Sequence, residues 1–324
     1  MNFSVHKEDW ELSIPFRIAG MEWTTSPSIV VLLEKDGHIG RGEAQGVFYC
    51  DETADTMLAQ VNAMAGRIRD GINREELLDE MPAGGARNAI DCALWDLECK
   101  ESGKTIWELT GITPKPVNTV FTIGMESTPE AMAAKAAAAD SPILKIKLDA
   151  HMPFEKLAAI RAARPDVELV VDANQGWSFE QLQELIPKCV DLNLGMIEQP
   201  LARGGDAVLE GFESPIILAA DESCLHTGEI DEAAKRYGMI NIKLDKTGGL
   251  TEGLRLAKAA KEKGCKLMIG NMCGTSLSMA PSFVVAQLCD FVDIDGPLLL
   301  KYDRPNGLQY ESGLVKEISP KLWG

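Results

Sequence analysis

Between Val117 and Asp295 the chain repeats one pattern that few folds can accommodate. Eight short apolar runs, "VNTVFTIG", "ILKIKLD", "LVVDAN", "GMIEQP", "IILAADES", "MINIKLDK", "KLMIGNM" and "FVDID", alternate with segments of helical character such as "TPEAMAAKAAAAD" and "FEKLAAIRAAR". From the second run onward the repeat is about 22 to 27 residues, the size of one βα unit in a barrel. Strands separated by helices pair in parallel. The pattern predicts an α/β protein with a (β/α)7β TIM-like barrel over residues 117–296. A doubly wound sheet is the alternative, and no GxGxxG turn supports it.

The first third reads differently. "SIVVLLEKDGHIGRGEA" (28–44) predicts two strands around an Asp36–Gly37 turn. Helical stretches follow through "DETADTMLAQVNAMAGRIRD" and "GGARNAIDCALWDLECKESG". Gly111, Pro114 and Pro116 mark a boundary, so residues 1–116 read as a separate α+β domain. Residues 297–324 are too few for another βα unit and are expected to return to that domain as a tail.

The net charge of −17 argues against nucleic acid or an anionic membrane as partner. No apolar run approaches ~20 residues, and the N-terminus is too polar for a signal peptide. The eight cysteines contain no CxxC pair, which predicts reduced thiols in a cytoplasmic protein. The expected partner is therefore a small molecule, and a homo-oligomer is left open.

In a barrel, chemistry gathers at the C-terminal ends of the strands. The unusual polar residues fall there: Lys145 and Lys147, Asp172, Glu198, Asp221, Lys243, and then Asp293 with Asp295. Three acids on consecutive strands converge, and left alone they would repel. A divalent cation resolves the conflict, and an all-oxygen ligand set suits Mg²⁺. Separate strand-end caps would explain one such acid better than three in register.

Lys145 and Lys147 lie two apart and share a strand face. Two like charges at ~6 Å with an effective dielectric of ~20 repel by about 3 kcal/mol. That is enough to lower one lysine's pKa by roughly two, toward a usable general base. Lys243, four strands round, would face them across the mouth. A carboxylate substrate that chelates the metal loses its α-proton to one amine and regains it from the other, which is racemisation or epimerisation. With a leaving group present, the same parts eliminate.

These residues resemble a known family. "KIKLD", "VDANQGW", "IEQP", "ADES" and "INIKLDKTGGL" occur in the order and spacing of the enolase superfamily, in its muconate-lactonising-enzyme subgroup. "PAGGARNAIDCALWDL" in the first domain is similar to dipeptide epimerases of the L-Ala-D/L-Glu type, and the resemblance covers nearly the whole chain. It makes residues 1–116 a capping domain and implies an isomerase with Mg²⁺ held by Asp172, Glu198 and Asp221. It implies Lys147 and Lys243 as the acid/base pair, Lys145 as an assisting contact to the substrate carboxylate, and Glu222 as the residue that orients Lys243. Asn174 would stand just behind the metal ligands. "DIDGPLLL" carries the most specific mark: Asp293 and Asp295 match the acidic pair that holds a dipeptide's free ammonium.

The resemblance also implies specificity loops in the cap, and there the chain departs from the family. An arginine that meets a substrate glutamate is expected just after "PF", and Gly20 and Met21 stand in its place. Met21 and Trp23 would offer apolar surface to the substrate and Glu22 a negative charge. The expectation is a hydrophobic or cationic second residue in the dipeptide. An N-acylamino-acid racemase, an o-succinylbenzoate synthase or a cycloisomerase shares the site, and the DxD pair argues against all three. A non-catalytic metal- or peptide-binding barrel would need no opposed bases. His6, His38, His151 and His226 fall away from the strand ends, against a His–Asp mechanism. "TGG" (247–249) is a weak phosphate-binding signal without a Walker pattern.

Overall fold

The structure, a computed structural model, describes residues 1–18 and 21–324, with backbone alone for Arg17, Ile18 and Met21. The cap opens with an antiparallel sheet of β1 (Asn2–Ile18), β2 (Met21–Lys35) and β3 (His38–Ala44). Asp36 and Gly37 both take positive φ, 49° and 82°, as the tight β2–β3 hairpin requires. The β1–β2 pairing runs from Asn2↔Glu34 to Ile18↔Met21, with an irregularity between Glu11 and Phe16. Arg17, Ile18 and the residues from Met21 onward, read from the sequence as part of a loop, thus belong to paired strands. The β1 strand carries charged residues and buries little of itself, so no apolar run announces it.

Five helices follow: α1 (Ala54–Ala63), α2 (Ala65–Arg69), α3 (Arg74–Glu80), α4 (Gly85–Ser102) and α5 (Ile106–Thr110). Helix α4 is buried almost all round because it is packed on two sides. Ile90, Ala93 and Leu97 join Ile29, Val31 and Leu33 in the cap core. Cys92, Trp95 and Cys99 join the larger core of the barrel. The approach to β3 is close: a Cβ at Gly42 would stand 2.0 Å from the Ala89 carbonyl oxygen.

The run "VNTVFTIG" divides in two. Strand β4 (Val117–Asn118) leaves for a small sheet with the tail, and β5 (Phe121–Ile123) starts the main one. Eight parallel strands then lie side by side in chain order: β5, β6 (Ile143–Lys147), β7 (Glu168–Asp172), β8 (Leu194–Glu198), β9 (Ile217–Ala220), β10 (Met239–Ile242), β11 (Lys266–Ile269) and β12 (Phe291–Val292). The sheet curls on itself, and Val120 N–H donates to the Val292 carbonyl across the seam at 2.8 Å. Between strands come α6 (Pro129–Ala138), α7 (Pro153–Ala163), α8 (Phe179–Asp191), α9 (Ile230–Ala233), α10 (Leu244–Thr247), α11 (Leu250–Glu262) and α12 (Ser276–Ala286), with α13 (Gly296–Leu299) after β12.

The tail touches both parts. Strands β13 (Tyr310–Glu311) and β14 (Leu314–Val315) pair with each other, and β14 pairs with β4. Trp323 is fully buried and donates from Nε1 to the Cys92 carbonyl of α4 at 3.0 Å. The Arg304 guanidinium reaches Glu8 and Glu43 of the cap sheet.

The "TGG" turn seats the cap helix. Arg87 of α4 donates to the carbonyls of Thr247 (2.6 Å) and Gly248 (3.1 Å). Asp91 accepts from Thr251 N and Oγ1 at 2.9 and 2.6 Å. Among the described residues no helix is long and apolar enough to cross a membrane. All eight cysteines are unpaired.

Candidate active site

Strand alternation decides which side chains enter the barrel. Val170 and Asp172 share one face of β7, and Met196 and Glu198 share one face of β8. By the same count Ala219 precedes Asp221, and Met239 precedes Asn241 and Lys243. The lower members, with Val120 and Met268, form a small apolar cluster of their own. The upper members form a buried polar layer above it. Asp172 lies opposite Glu198 in the β7–β8 register. A cavity of about 580 Å³ opens over this layer, and Lys145, Lys147, Asp221, Lys243, Asp293 and Asp295 are on its wall.

Ammonium groups interleave the carboxylates. Lys145 Nζ lies 2.7 Å from Glu198, 2.7 Å from Asp293 and 3.2 Å from Asp172. Lys147 Nζ donates to Asp172 at 2.6 Å and to Asn174 Oδ1 at 3.1 Å. Lys243 and Lys246 take one oxygen each of Asp221, at 2.8 and 2.7 Å. The carboxylates around Lys145 set its own pKa. Burial alone would lower it, but Asp293, Glu198 and Asp172 outweigh burial and hold it well above the ordinary lysine value. Lys243 is likewise raised, because Asp221 and Glu198 overcome its burial. Asp172 is pulled down to about 2: burial opposes ionisation, and Lys147 and Lys145 more than offset it.

The carboxylates beyond this exchange shift upward. Glu222 rises to about 8 through burial and the charges of Asp221 and Asp172. Its Oε2 is buried without a hydrogen-bond partner, while Lys243 is held by Asp221. The hydrogen bond that Lys243 makes is thus to Asp221, and none to Glu222 is present among the described residues. Asp295 rises to about 7 through burial and its neighbour Asp293. Asp295 accepts from Thr122 N–H at 2.7 Å, and Asn271 Nδ2 donates to Asp293 Oδ1 at 3.0 Å.

Asn174 takes a left-handed φ of 42° and donates its N–H to Asp172 Oδ1 at 2.9 Å. It thus braces both Asp172 and Lys147. Trp23 lines the cavity and meets Phe48 edge-on with centroids 5.4 Å apart. Glu22, next to it on β2, points the other way and is exposed. The side chain of Met21, and Gly20 altogether, lie outside the described residues.

Sequence reasoning missed Lys246, Asn241, Asn271 and Tyr49. Lys246 is fully buried and donates to Asp221 Oδ1 and to the carbonyls of Asp221, Cys224 and Asn241. Asn241 donates to Glu198 at 2.6 Å, and its position two before Lys243 is a period-two signal. Asn271 stands one residue before the end of the seventh run, where the strand-end rule points. Tyr49 lies in a short 3-10 turn, Phe48–Cys50, with no local signal. None of the four histidines is on the cavity wall.

Asp172, Glu198 and Asp221 offer an all-oxygen donor set on three adjacent strands, as a hard cation requires. Among the described residues no three are drawn together into a finished cage, because lysine ammoniums stand between them. Yet Glu198 Oε2, 2.7 Å from Lys145, is buried without an aligned hydrogen bond. A buried carboxylate oxygen whose close neighbour is a cation, and which makes no hydrogen bond, fits a cation ligand.

Comparison with known proteins places this geometry in a family. Residues 1–111 match the mandelate racemase / muconate lactonizing enzyme N-terminal domain, and residues 130–315 match the enolase C-terminal domain-like family. An L-Ala-D/L-Glu epimerase of Escherichia coli is 41% identical over 95% of this chain and 97% of its own. An N-acetyl-D-glutamate racemase of Pseudoalteromonas is 38% identical over 91% and 94%. A crystal structure of an enolase family member from Agrobacterium tumefaciens, with bound sodium and L-Ala-L-Glu, superposes with a TM-score of 0.96 at 40% identity, covering 99% of each chain. A dipeptide epimerase from Enterococcus faecalis, complexed with Mg and L-Leu-L-Tyr, gives a TM-score of 0.91 at 27% identity over 97% and 96%. The chain belongs to the mandelate racemase / muconate lactonizing enzyme family of the enolase superfamily.

Proposed function

We propose that the protein is a Mg²⁺-dependent dipeptide epimerase that inverts the α-carbon of the carboxyl-terminal residue of dipeptides such as L-Ala-L-Glu. One observation carries the reading. Two lysines, Lys147 and Lys243, reach a single cavity from opposite parts of the sheet, and an acidic pair shares that cavity with them. Binding alone needs no base on either side, whereas inversion needs one on each.

Asp293 and Asp295 bind the free α-ammonium of the dipeptide and so set its direction across the mouth. Lys147, braced by Asn174, takes the α-proton on one face. Lys243, kept protonated beside Asp221, returns a proton on the other. Asp172, Glu198 and Asp221 would hold Mg²⁺, which would supply positive charge to offset the second negative charge that develops on the substrate carboxylate as the proton leaves. Glu22 faces away from the cavity, which removes the like-charge argument against a glutamate side chain. The relatives that act on glutamate derivatives support that side chain.

The Pseudoalteromonas relative favours a second reading, racemisation of an N-acetylated amino acid, which has no free ammonium for the acidic pair to bind. Incubation with Mg²⁺ in D₂O tests both. L-Ala-L-Glu should gain one deuterium and yield L-Ala-D-Glu, and N-acetylglutamate should react slowly. Faster exchange into N-acetylglutamate overturns the dipeptide reading.

A further inference from the structure

The Tyr49 hydroxyl is a buried donor without a partner. Its oxygen is shielded from solvent and makes no hydrogen bond, while the residue is one of those that line the cavity, as Asp221, Glu222 and Lys243 are. Such a group in a folded protein calls for an explanation. The nearby protein acceptors do not supply one, because both oxygens of Asp221 are taken by Lys243 and Lys246. Glu222 Oε2 is itself unpartnered, so the two do not bond each other.

The 3-10 turn that carries Tyr49, Phe48–Cys50, is anchored by the residues before it. Gln45 and Gly46 N–H donate to Asp245 at 3.0 and 2.9 Å. Val47 N–H donates to Glu52 at 2.8 Å, and Glu52 also takes the Gly85 N–H at the start of α4. The Phe48 ring stands edge-on to Tyr49 at 5.1 Å and to Trp23 at 5.4 Å. An unpartnered donor on a fixed residue beside a cavity is a candidate ligand contact. Burial and the charges of Asp221 and Glu222 keep the phenol protonated, so it stays a donor.

We infer that Tyr49 binds substrate, its hydroxyl donating to the α-carboxylate of the residue that is inverted. This rests on the dipeptide reading. The ammonium pair sits on and after β12, whereas Tyr49 stands beside the residues that follow β9 and β10, so it meets the carboxyl end of the dipeptide. The α-carboxylate is present whatever the second side chain, and Tyr49 therefore contributes affinity common to all substrates.

The test compares the parent with Tyr49→Phe on L-Ala-L-Glu and L-Ala-L-Leu, together with the ligand-free melting temperature and Mg²⁺ affinity by calorimetry. The variant should melt at or above the parent temperature, since a hydroxyl without a partner is removed. Mg²⁺ affinity should stay within twofold. The value of kcat/KM should fall about 10- to 100-fold on both dipeptides, the scale of a hydrogen bond to a charged group, mostly through KM. A loss confined to L-Ala-L-Glu overturns the inference and assigns Tyr49 to the side chain. Unchanged kcat/KM, or a matching loss of Mg²⁺ affinity or stability, overturns it as well. If the parent exchanges no dipeptide α-proton, the dipeptide reading fails; if the parent does and the variant equals it, only the assignment of Tyr49 fails.

Discussion

Replacing Lys145 with methionine probes the charge balance of the site most directly. Methionine keeps the unbranched apolar stem and removes the ammonium. That ammonium is 2.7 Å from Glu198, 2.7 Å from Asp293 and 3.2 Å from Asp172, with a side chain only 2% exposed. At an effective dielectric of ~20 each contact amounts to about 5–6 kcal/mol of gross attraction. Desolvation cancels most of the sum, and breaking a buried pair from one side costs about 3–5 kcal/mol net. The variant should lose that amount in urea unfolding with chelator present. For domains of this size the melting temperature would drop by roughly 6–20 °C. Adding Mg²⁺ should restore more stability to the variant than it adds to the parent. The cation then meets Glu198 without a competing ammonium, so calorimetry should show tighter Mg²⁺ binding even as turnover falls. A loss below about 1 kcal/mol in chelator, or an equal Mg²⁺ increment in both proteins, would refute the reasoning.

Lys147→Ala and Lys243→Ala should each reduce epimerisation by at least 100-fold, while each still exchanges the α-proton of one stereoisomer, a different one in each variant. Mass spectrometry of L,L- and L,D-dipeptides in D₂O reads this out, and near-parent epimerisation in either variant sinks the two-base scheme. Asp293→Asn or Asp295→Asn should weaken free dipeptides by about 1.5–3 kcal/mol and narrow the gap to N-acetylated dipeptides in steady-state kinetics. An unchanged gap would mean that the acidic pair does not hold the ammonium. Gly249→Ala puts a Cβ 2.4 Å from Asp91 Oδ2 at a φ of +125°. It should cost about 1–3 kcal/mol in backbone strain plus the bonds from Thr251 to Asp91, and a denaturation midpoint equal to the parent's would contradict the docking role of the "TGG" turn.

The sheet and its polar layer were legible because period two is written into the strands themselves. Asp172, Glu198 and Asp221 end their runs two residues beyond Val170, Met196 and Ala219, and the small apolar cluster beneath the site is built from those three and their neighbours. Strand β1 was not legible. It exposes much of its surface, so its charged residues hide the alternation, and with it the hairpin that carries Trp23 to the cavity and turns Glu22 away.

By itself the sequence determined which chemical groups stand at which strand ends, since local alternation sets a side chain's face. What those groups do to one another depended on distances across the sheet. Lys145 reads as one of two repelling amines when its neighbours are counted along the strand. In the fold it lies among three carboxylates from other strands, and its proton is held more tightly. The partner of Lys243, the seat of the "TGG" turn against α4, and the free hydroxyl of Tyr49 were likewise decided only by tertiary structure. Each joins residues far apart in the chain, and electrostatic and hydrogen-bond energies depend on separation in space, which no spacing along the sequence encodes.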